Sequence, residues 1–277
     1  MSELPLAAAV SGVGVVDPSV AVVAATDEGF SRGRAAFETL RVYAGRPFRL
    51  QEHLARLEGS AGRLDLPDPD LAELERLVAL ALAKSGERDA SLRLFWTPGP
   101  PGGQPRGIVL VSPIPAWIEH ARVRGQRLVS LAFPRRSAPW LLPGTKSVSY
   151  ATHVAAEAEA RRGGADDAVL VDLDGTVLEG TVTNVWWREG TTLVTPGLEL
   201  GILAGETRAA LVGLAQEAGY VVESGAFPLE RLMAAEEVFT SSSVREVMPV
   251  VSVDGRDYAS REAADVLQQA LRRLAAG

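Results

Sequence analysis

The chain has 277 residues, of which 47% are hydrophobic and 23% charged, so it is long enough for a substantial core and has an ordinary globular composition. Its formal net charge of −7 argues against nucleic acid or an anionic membrane as the main partner. Cysteine is absent, which excludes disulfides, thiolate nucleophiles and zinc–thiolate sites, and the three histidines (His53, His120 and His153) lack the spacing of a helical metal site. We therefore expect no bound metal.

The first 23 residues are apolar, but they do not resemble a signal peptide, because a basic start is missing and Asp17 and Pro18 interrupt the run. No segment of the sequence reaches the roughly 18 uncharged apolar residues that a membrane helix requires. We therefore expect a cytoplasmic protein that acts on a small molecule, with neither a membrane nor nucleic acid as partner.

The first half of the chain predicts a hairpin, two amphipathic helices and two further strands. The hairpin turns at Gly45-Arg46. A Pro/Gly-rich stretch, 98–107, is either a mobile active-site loop or a surface excursion. From alternation and helical spacing, the expected strands are 35–43, 48–50, 91–97 and 108–112, and the expected helices are 51–64 and 71–85.

The second half predicts short strands followed by helices. Asp174-Gly175 and Glu189-Gly190 are typical of hairpin turns, so the strands around them are expected to form an antiparallel sheet. Gly163-Gly164 ends an Ala/Glu-rich helix. The expected strands are 127–132, 168–171, 176–178, 184–188, 192–195, 237–240 and 250–253, and the expected helices are 151–162, 207–218, 229–235 and 260–275.

These patterns predict two α+β domains. The segment 112–125, with its two prolines, carries the boundary. We expect an N-terminal α+β domain at 1–117, a linker at 118–126 and a C-terminal domain at 127–277.

One motif indicates a different chemistry. Asp172-Leu-Asp174-Gly175-Thr176 resembles the nucleophile motif of haloacid dehalogenase-type phosphatases. That family carries the motif near its N-terminus and adds a downstream lysine, whereas no lysine follows Lys146 here. An Asp-Gly hairpin turn explains the same residues without any catalysis, and we favour it. Gly12-Val-Gly14 lacks the third glycine of a dinucleotide fingerprint.

Lys146 and Glu179 form the most informative pair of side chains, with a strand-like apolar run between them. An amine and a carboxylate are the two groups that a pyridoxal phosphate enzyme needs, one to bond the cofactor and one to hold its pyridine nitrogen protonated. The alternatives without a catalytic role are a surface lysine for Lys146 and a turn residue in a salt bridge for Glu179. The C-terminal domain is accordingly expected to bind pyridoxal phosphate.

A phosphate group requires helix N-terminal amides, hydroxyls and a cation, and the sequence offers all three. The segment 201–208 leads directly into a predicted helix with Thr207 in its first turn. Thr240-Ser241-Ser242-Ser243 adds hydroxyls, and Arg56 on a predicted helix supplies a positive charge. The alternative for Arg56 is a solvated charge on the helix surface.

Six motifs in this order resemble the class IV aminotransferases over about residues 29–255. That family has the type IV pyridoxal phosphate fold, with two domains that are each a mainly antiparallel sheet or barrel with flanking helices. It includes branched-chain and D-amino acid aminotransferases, (R)-amine transaminase and 4-amino-4-deoxychorismate lyase. The motifs are Phe37-Glu38-Thr39-Leu40-Arg41-Val42, His53-Leu54-x-Arg56-Leu57, the Lys146 segment, Glu179-Gly180-x-x-x-Asn184, Gly201-Ile202-Leu203-x-Gly205-x-Thr207-Arg208 and Glu246-Val247-x-Pro249-Val250.

The resemblance implies a role for each matching residue. Lys146 is similar to the lysine that bonds the cofactor and exchanges the proton of the substrate carbon, and Glu179 to the acid that pairs with the pyridine nitrogen. The family's phosphate-binding positions fall on Arg56, Glu206, Thr207, Ser242 and Ser243, where Glu206 and Thr207 act through their amides. The family also implies a homodimer.

The substrate pocket is expected to contain Phe37, Arg93, Pro98 and Tyr150. D-amino acid aminotransferases resemble one another in a tyrosine at the position of Phe37 and an arginine in a T-R-G segment, where this chain has Thr97-Pro98-Gly99. These departures argue against a D-amino acid enzyme of the usual type. Arg93 faces either the pocket or the opposite side of its sheet.

Two activities remain open from the resemblance. A 4-amino-4-deoxychorismate lyase releases pyruvate and 4-aminobenzoate for folate synthesis, and the segments 37–41 and 53–64 favour it. A transaminase would instead need a 2-oxo acid acceptor and would act on branched-chain or D-amino acids or (R)-amines. Arg34 is either a carboxylate clamp or, as we favour, a surface charge, and Ser149 stands where an asparagine is frequent. A binding module without activity is disfavoured because Lys146 and Glu179 are both present.

Overall fold

The computed structural model describes residues 4–134 and 142–277. These residues fall into two compact units, which we call unit 1 (Met1–Pro115 with Thr145–Tyr150) and unit 2 (Ala116–Gly144 with Ala151–Gly277). In the described parts of the chain no helix has the length and apolar character needed to cross a bilayer.

Unit 1 is a six-stranded antiparallel sheet with two long helices packed on one face. The strand order is β2-β1-β6-β5-β3-β4. The strands are β1 (Ala7–Val10), β2 (Gly14–Val16), β3 (Ala36–Tyr43), β4 (Arg46–Pro47), β5 (Ala90–Thr97) and β6 (Arg106–Ser112), and the helices are α1 (Glu28–Ser31), α2 (Leu50–Arg63) and α3 (Leu71–Ser85).

Periodic leucines explain why α2 and α3 cover only one face of this sheet. Leu54 and Leu57 of α2 and Leu74 and Leu77 of α3 are almost fully buried in the same cluster. Helix α3 begins where Asp70 accepts the amide of Glu73, and it ends at Gly86 in the left-handed conformation. Strand alternation leaves the other face of the sheet free of these helices, and that face carries Phe37, Phe95 and Arg93.

Unit 2 is a nine-stranded mixed sheet in the order β12-β11-β10-β13-β14-β7-β8-β9, with β15 paired to β14. Its strands are β7 (Gln126–Ala132), β8 (Asp167–Val171), β9 (Val177–Gly180), β10 (Asn184–Glu189), β11 (Thr192–Pro196), β12 (Val221–Gly225), β13 (Glu237–Ser242), β14 (Glu246–Val253) and β15 (Arg256–Asp257). Its helices are α4 (Trp117–Arg124), α5 (Ala151–Arg162), α6 (Glu206–Glu217), α7 (Leu229–Ala234) and α8 (Glu262–Ala276).

The turn signals predicted an antiparallel sheet in the second half of the chain, but the sheet of unit 2 is mixed. Three strand pairs are parallel: β7–β8, β7–β14 and β11–β12. Strands β7 and β8 are parallel because helix α5 lies between them in sequence, and a helical crossover returns the chain in the same direction. The hairpins β8–β9 and β10–β11 are antiparallel, as their turns predict.

Several local predictions differ from the structure. The returning strand expected at 48–50 is wrong, because β4 ends at Pro47 and α2 begins at Leu50. The hairpin β1–β2 and helix α1 were not predicted, since such short elements show no full period. Most of the expected linker 118–126 is helix α4, and the segment Thr145–Tyr150 belongs to unit 1 although it follows that helix in sequence.

Candidate active site

The backbone around Lys146 is held on two sides within unit 1. Phe37 donates its amide to the carbonyl of Lys146 (3.1 Å), and Val148 donates its amide to the carbonyl of Ala35 (3.0 Å), so the segment runs along the start of β3. The amide of Lys146 in turn donates to Ser60 Oγ of α2 (3.2 Å). These hydrogen bonds fix the backbone position from which the Lys146 side chain extends.

The amine of Lys146 lies against aromatic rings. Its Nζ is 4.4 Å from the ring centroid of Phe37, 5.5 Å from that of Tyr150 and 3.4 Å from the Tyr150 hydroxyl. Phe37 also packs edge-on against Tyr150 (5.2 Å) and stacks on Phe95 (5.9 Å). Within 4–134 and 142–277, no carboxylate forms a salt bridge with Lys146. A half-buried amine on aromatic faces remains available for reaction.

Of the four predicted pocket residues, the structure brings Phe37 and Tyr150 to Lys146. Arg93 is the strand partner of Thr39, two pairs along from Phe37 and Phe95, so it lies on the same face of the sheet and is exposed. This answers which way Arg93 points, because alternate residues of a strand share a face.

Pro98 begins a turn whose first residues are held by hydrogen bonds. Thr97 donates its hydroxyl to Asp27 Oδ2 (2.6 Å), and Gly99 donates its amide to Thr97 Oγ1 (3.2 Å). Gly99 has a φ of +77°, and a Cβ there would lie 2.1 Å from the carbonyl oxygen of Gln104. The beginning of the 98–107 stretch is therefore an anchored turn, and the buried Asp27 that anchors it was missed in the sequence.

Arg34 and Ser149 have local partners in unit 1. Arg34 donates to the Glu28 carboxylate (2.6 Å) and to the carbonyl of Leu64 (3.0 Å). Ser149 donates its hydroxyl to the carbonyl of Gly33 (3.0 Å). Arg34 thus joins the segment before β3 to the end of α2. This structural role is an alternative to the two predicted ones, a clamp for a substrate carboxylate and a free surface charge.

Arg56 takes part in a buried ionic cluster. It donates to both oxygens of Glu38 (2.8 and 2.6 Å), and His53 Nδ1 lies 2.7 Å from Glu38 Oε2. Burial raises the pKa of the Glu38 carboxyl, but the hydrogen bonds and charges of Arg56 and His53 outweigh it and lower the pKa to about 2. Glu38 was missed as a site residue, although a carboxylate at a core-facing position of a predicted strand signals a buried cation.

Glu179 is 6% exposed and lies next to a tight turn in unit 2. Leu203 donates its amide to Glu179 Oε2 (3.0 Å), and Gly180 donates its amide to the carbonyl of Thr183 (2.7 Å). A Cβ on Gly180 would lie 2.1 Å from Thr183 Oγ1, so any other residue would have to displace the Thr183 hydroxyl. The turn explains the spacing of Glu179 and Asn184 in the sequence.

The predicted phosphate-binding residues of unit 2 lie at the start of α6 and at the end of β13. Helix α6 starts after Gly205 without a side-chain cap, and its first turn contains Glu206 and the buried Thr207. First-turn amides have no partner within the helix and carry a partial positive charge, which favours an anion. Ser242 ends β13 and Ser243 lies in the turn that follows.

The donor groups of the two units match the chemical requirements of pyridoxal phosphate. Among the described residues, unit 1 has an amine without a carboxylate salt-bridge partner. Unit 2, considered by itself, has a nearly buried carboxylate, a helix start without a side-chain cap and two hydroxyls. An amine, an acid and an anion cradle are what this cofactor needs from a protein. The residues present therefore fit the cofactor.

Two other chemistries find no support. Asp172, Asp174 and Gly175 form the turn between β8 and β9, in which Gly175 donates its amide to the carbonyl of Asp172 (3.0 Å). No cluster of histidines and carboxylates suited to a metal ion occurs in the described ranges. The phosphatase interpretation of this motif is unsupported.

Unit 2 also contains a cavity of about 320 Å³ lined by several arginines. Arg124 pairs with Asp166 (2.8 Å), and Arg245 pairs with Asp167 (2.6 Å). Arg161 pairs with Glu157 (2.7 Å), so three of the four lining arginines have carboxylate partners and the cavity is not a strong anion site.

Comparison with known proteins gives the same result as the motifs. Residues 35–253 match the family model described as amino-transferase class IV. A Mycobacterium tuberculosis protein named bifunctional aminodeoxychorismate lyase / D-amino acid transaminase is 34% identical over 271 residues, covering 92% of this chain and 94% of the relative.

Solved structures show the same fold. A hypothetical aminotransferase from Mycobacterium tuberculosis in its PLP-bound form has a TM-score of 0.89 at 32% identity, covering 96% of this chain and 97% of that one. A fold IV-transaminase from Curtobacterium pusillum has a TM-score of 0.87 at 37% identity, covering 95% and 93%. The predicted fold type is confirmed, and the chain belongs to the amino-transferase class IV family.

Proposed function

We propose that this chain is a pyridoxal phosphate enzyme in which Lys146 bonds the cofactor and Glu179 faces its ring nitrogen. The bound cofactor supplies an electron sink for the charge left when a bond to the amine-bearing carbon of the substrate breaks. The residues that would hold its phosphate are Arg56, Ser242 and Ser243 with their side chains and Glu206 and Thr207 with their amides.

The position of the Lys146 amine carries this proposal. The amine rests on Phe37 and Tyr150 with no acid to neutralise it in the described residues, whereas a structural lysine at such a half-buried place would be expected to pair with a carboxylate. A relative of 32% identity has been solved in a PLP-bound form.

The activity that we favour is 4-amino-4-deoxychorismate lyase. Lys146 Nζ would take the proton from the ring carbon that bears the amine, and the bond from the ring to the enolpyruvyl oxygen would break with its electron pair leaving on that oxygen. The released enolate would take up a proton at its CH₂ carbon and become pyruvate. The aromatic product is 4-aminobenzoate. Phe37, Phe95 and Tyr150 would exclude water from the amine. The name of the 34% identical relative supports this choice.

Transamination is the second candidate, because the same relative is also named a D-amino acid transaminase. Arg93 lies exposed on the Phe37 face, where its guanidinium suits a substrate carboxylate. A homodimer and a cytoplasmic location remain predictions, the first supported by family resemblance, and light scattering of the purified protein measures the oligomeric state.

Lysine trapping tests the cofactor assignment sharply, because the sequence contains only two lysines, Lys84 and Lys146. Protein loaded with pyridoxal phosphate is reduced with borohydride and digested, and the modified peptide is identified by mass spectrometry. We expect the adduct on Lys146, while Lys84, exposed on α3, serves as the internal control. A protein that takes up no pyridoxal phosphate, or that carries the adduct on Lys84, contradicts the proposal.

Product analysis separates the two activities. The loaded protein is given 4-amino-4-deoxychorismate without any 2-oxo acid, and pyruvate and 4-aminobenzoate are measured. We expect both products in equal amounts. Turnover that requires an amino donor together with a 2-oxo acid would instead identify a transaminase.

A further inference from the structure

We infer that Asn184 is a positioning residue that holds Glu179 and the start of α6 in their places for the cofactor. This rests on the proposed function. Asn184 is the first residue of β10 and is 4% exposed, so it is almost completely buried. A buried amide side chain needs hydrogen-bond partners, and the partners of this one lead to the proposed cofactor site.

The first connection runs through the backbone of Leu203. Asn184 Nδ2 donates to the carbonyl oxygen of Leu203 (3.0 Å), and the amide of the same Leu203 donates to Glu179 Oε2 (3.0 Å). One residue of the loop before α6 is therefore held at its carbonyl by Asn184 and holds Glu179 with its amide. The orientation of the Glu179 carboxylate depends on Asn184 through this loop.

The second connection is a close approach to the helix start. A Cβ placed on Gly205 would lie 2.1 Å from Asn184 Oδ1. The backbone of Gly205 has a φ of −68° and a ψ of 132°, which any residue adopts. Glycine is therefore needed here for space and not for conformational freedom, and the space is filled by the Asn184 side chain.

The third connection is made by the sheet. Asn184 is the strand partner of Ser241 on β13, next to Ser242 and the turn that contains Ser243. Asn184 thus borders all three parts of the proposed site in unit 2: the acid, the helix start and the hydroxyl-bearing turn. Neither Nδ2 nor Oδ1 of Asn184 needs to contact the cofactor for this role.

Removing the Nδ2 donor leaves the Leu203 carbonyl without that partner in a buried place, which releases the loop and with it the amide that holds Glu179. We expect Asn184→Ala to weaken pyridoxal phosphate binding roughly tenfold or more, as loss of outer ligand-orienting partners does in other cofactor sites. Asn184→Asp keeps the shape but places a carboxylate against the Leu203 carbonyl, and we expect at least the same loss.

The experiment compares wild type, Asn184→Ala, Asn184→Asp and Gly205→Ala. Gly205→Ala tests the same contact from the other side, because its Cβ displaces the Asn184 amide. Thr195→Val is the matched control, since Thr195 is fully buried on the neighbouring strand β11 and donates to the carbonyl of Val185 (2.9 Å) without reaching Glu179 or Leu203.

Two measurements read the cofactor directly. The first is the dissociation constant for pyridoxal phosphate, and the second is the NMR chemical shift of an isotope-labelled ring nitrogen, which reports its protonation by the acid facing it. We expect both to change in the Asn184 and Gly205 variants and neither to change in Thr195→Val. Thermal unfolding of the unloaded proteins identifies variants that lose the fold, and Gly205→Ala keeps the test decisive if Asn184→Ala unfolds.

The outcomes separate this inference from the function on which it rests. Asn184 and Gly205 variants that are folded and keep the wild-type affinity and nitrogen shift overturn the role of Asn184 and leave the proposed function intact. A wild-type protein that binds no pyridoxal phosphate overturns both.

Discussion

The Lys146 region of unit 1 and the Glu179 region of unit 2 hold their functional groups in opposite ways. The backbone of Lys146 is fixed by hydrogen bonds to β3 and α2, but its amine rests on two aromatic rings. Glu179 is nearly buried, and its carboxylate itself receives an amide hydrogen bond. The amine proposed to form and release bonds thus lies against aromatic rings, whereas the carboxylate proposed to stay charged is held by a backbone amide.

Loss of the Lys146 amine is expected to have the largest effect. Lys146→Ala removes the proposed cofactor-bonding and proton-transferring group, and we expect activity to fall by roughly 10³-fold or more with little change in stability. Steady-state kinetics measures the activity, and thermal unfolding of the unloaded proteins measures the stability. Lys84→Ala is the control. Substantial activity in Lys146→Ala would show that the Lys146 amine is not the reactive group, and the comparison between the two regions would then fail.

Unit 1 also contains a fixed carboxylate, and its loss should affect stability. Glu38→Gln breaks the buried pairing with Arg56, and we expect a loss of about 3 kcal/mol in the free energy of unfolding at neutral pH. Because the pKa of Glu38 is lowered from 4.5 to about 2, the charged form stabilises the fold above pH 4.5. This stabilisation is lost as the pH falls from 4.5 toward about 2, so the difference between wild type and variant should narrow there.

Urea unfolding at a series of pH values measures this difference. Glu73→Gln is the control, because Glu73 pairs with an exposed Arg76 on α3 and such surface pairs contribute little. An equal effect of both substitutions at neutral pH would show that burial is not the cause.

The carboxylate of unit 2 is expected to matter for activity more than for folding. Glu179→Gln keeps an oxygen that can accept the Leu203 amide but removes the negative charge. We expect activity to fall roughly 100-fold, because an uncharged partner does not hold the ring nitrogen protonated. Kinetics and thermal unfolding distinguish the two effects, with exposed Glu230→Gln as control. A large loss of stability with unchanged activity would make Glu179 a structural residue.

The smallest effect is expected at the hydroxyl next to the amine. Tyr150→Phe removes one hydrogen bond of 3.4 Å and keeps the ring on which the amine rests, so we expect roughly a threefold change in activity. Tyr43→Phe, on the same strand face as Phe37 but beside Phe48, is the control. A loss as large as that of Lys146→Ala would show that the hydroxyl, and not the ring, governs the amine.

Helices α2, α3 and α5 were predictable to within one residue because their apolar or alanine-rich periods and end signals are local. Lys146, Glu179 and Asn184 could also be identified from the sequence, because they belong to motifs whose order along the chain indicated the family. Glu38 was overlooked as a site residue because its partners, Arg56 and His53, lie on a different element.

The sequence by itself determined the family and the α+β class and supplied the candidate residues for the chemistry, since these depend on residue type and spacing. Only the tertiary structure decided that Lys146 rests on Phe37, that β7 pairs in parallel with both β8 and β14, and that Asn184 reaches Glu179 through Leu203. Each of these depends on contacts between segments distant in the chain. Local periodicity contains no information about such contacts, because they form only when strands pair and side chains pack.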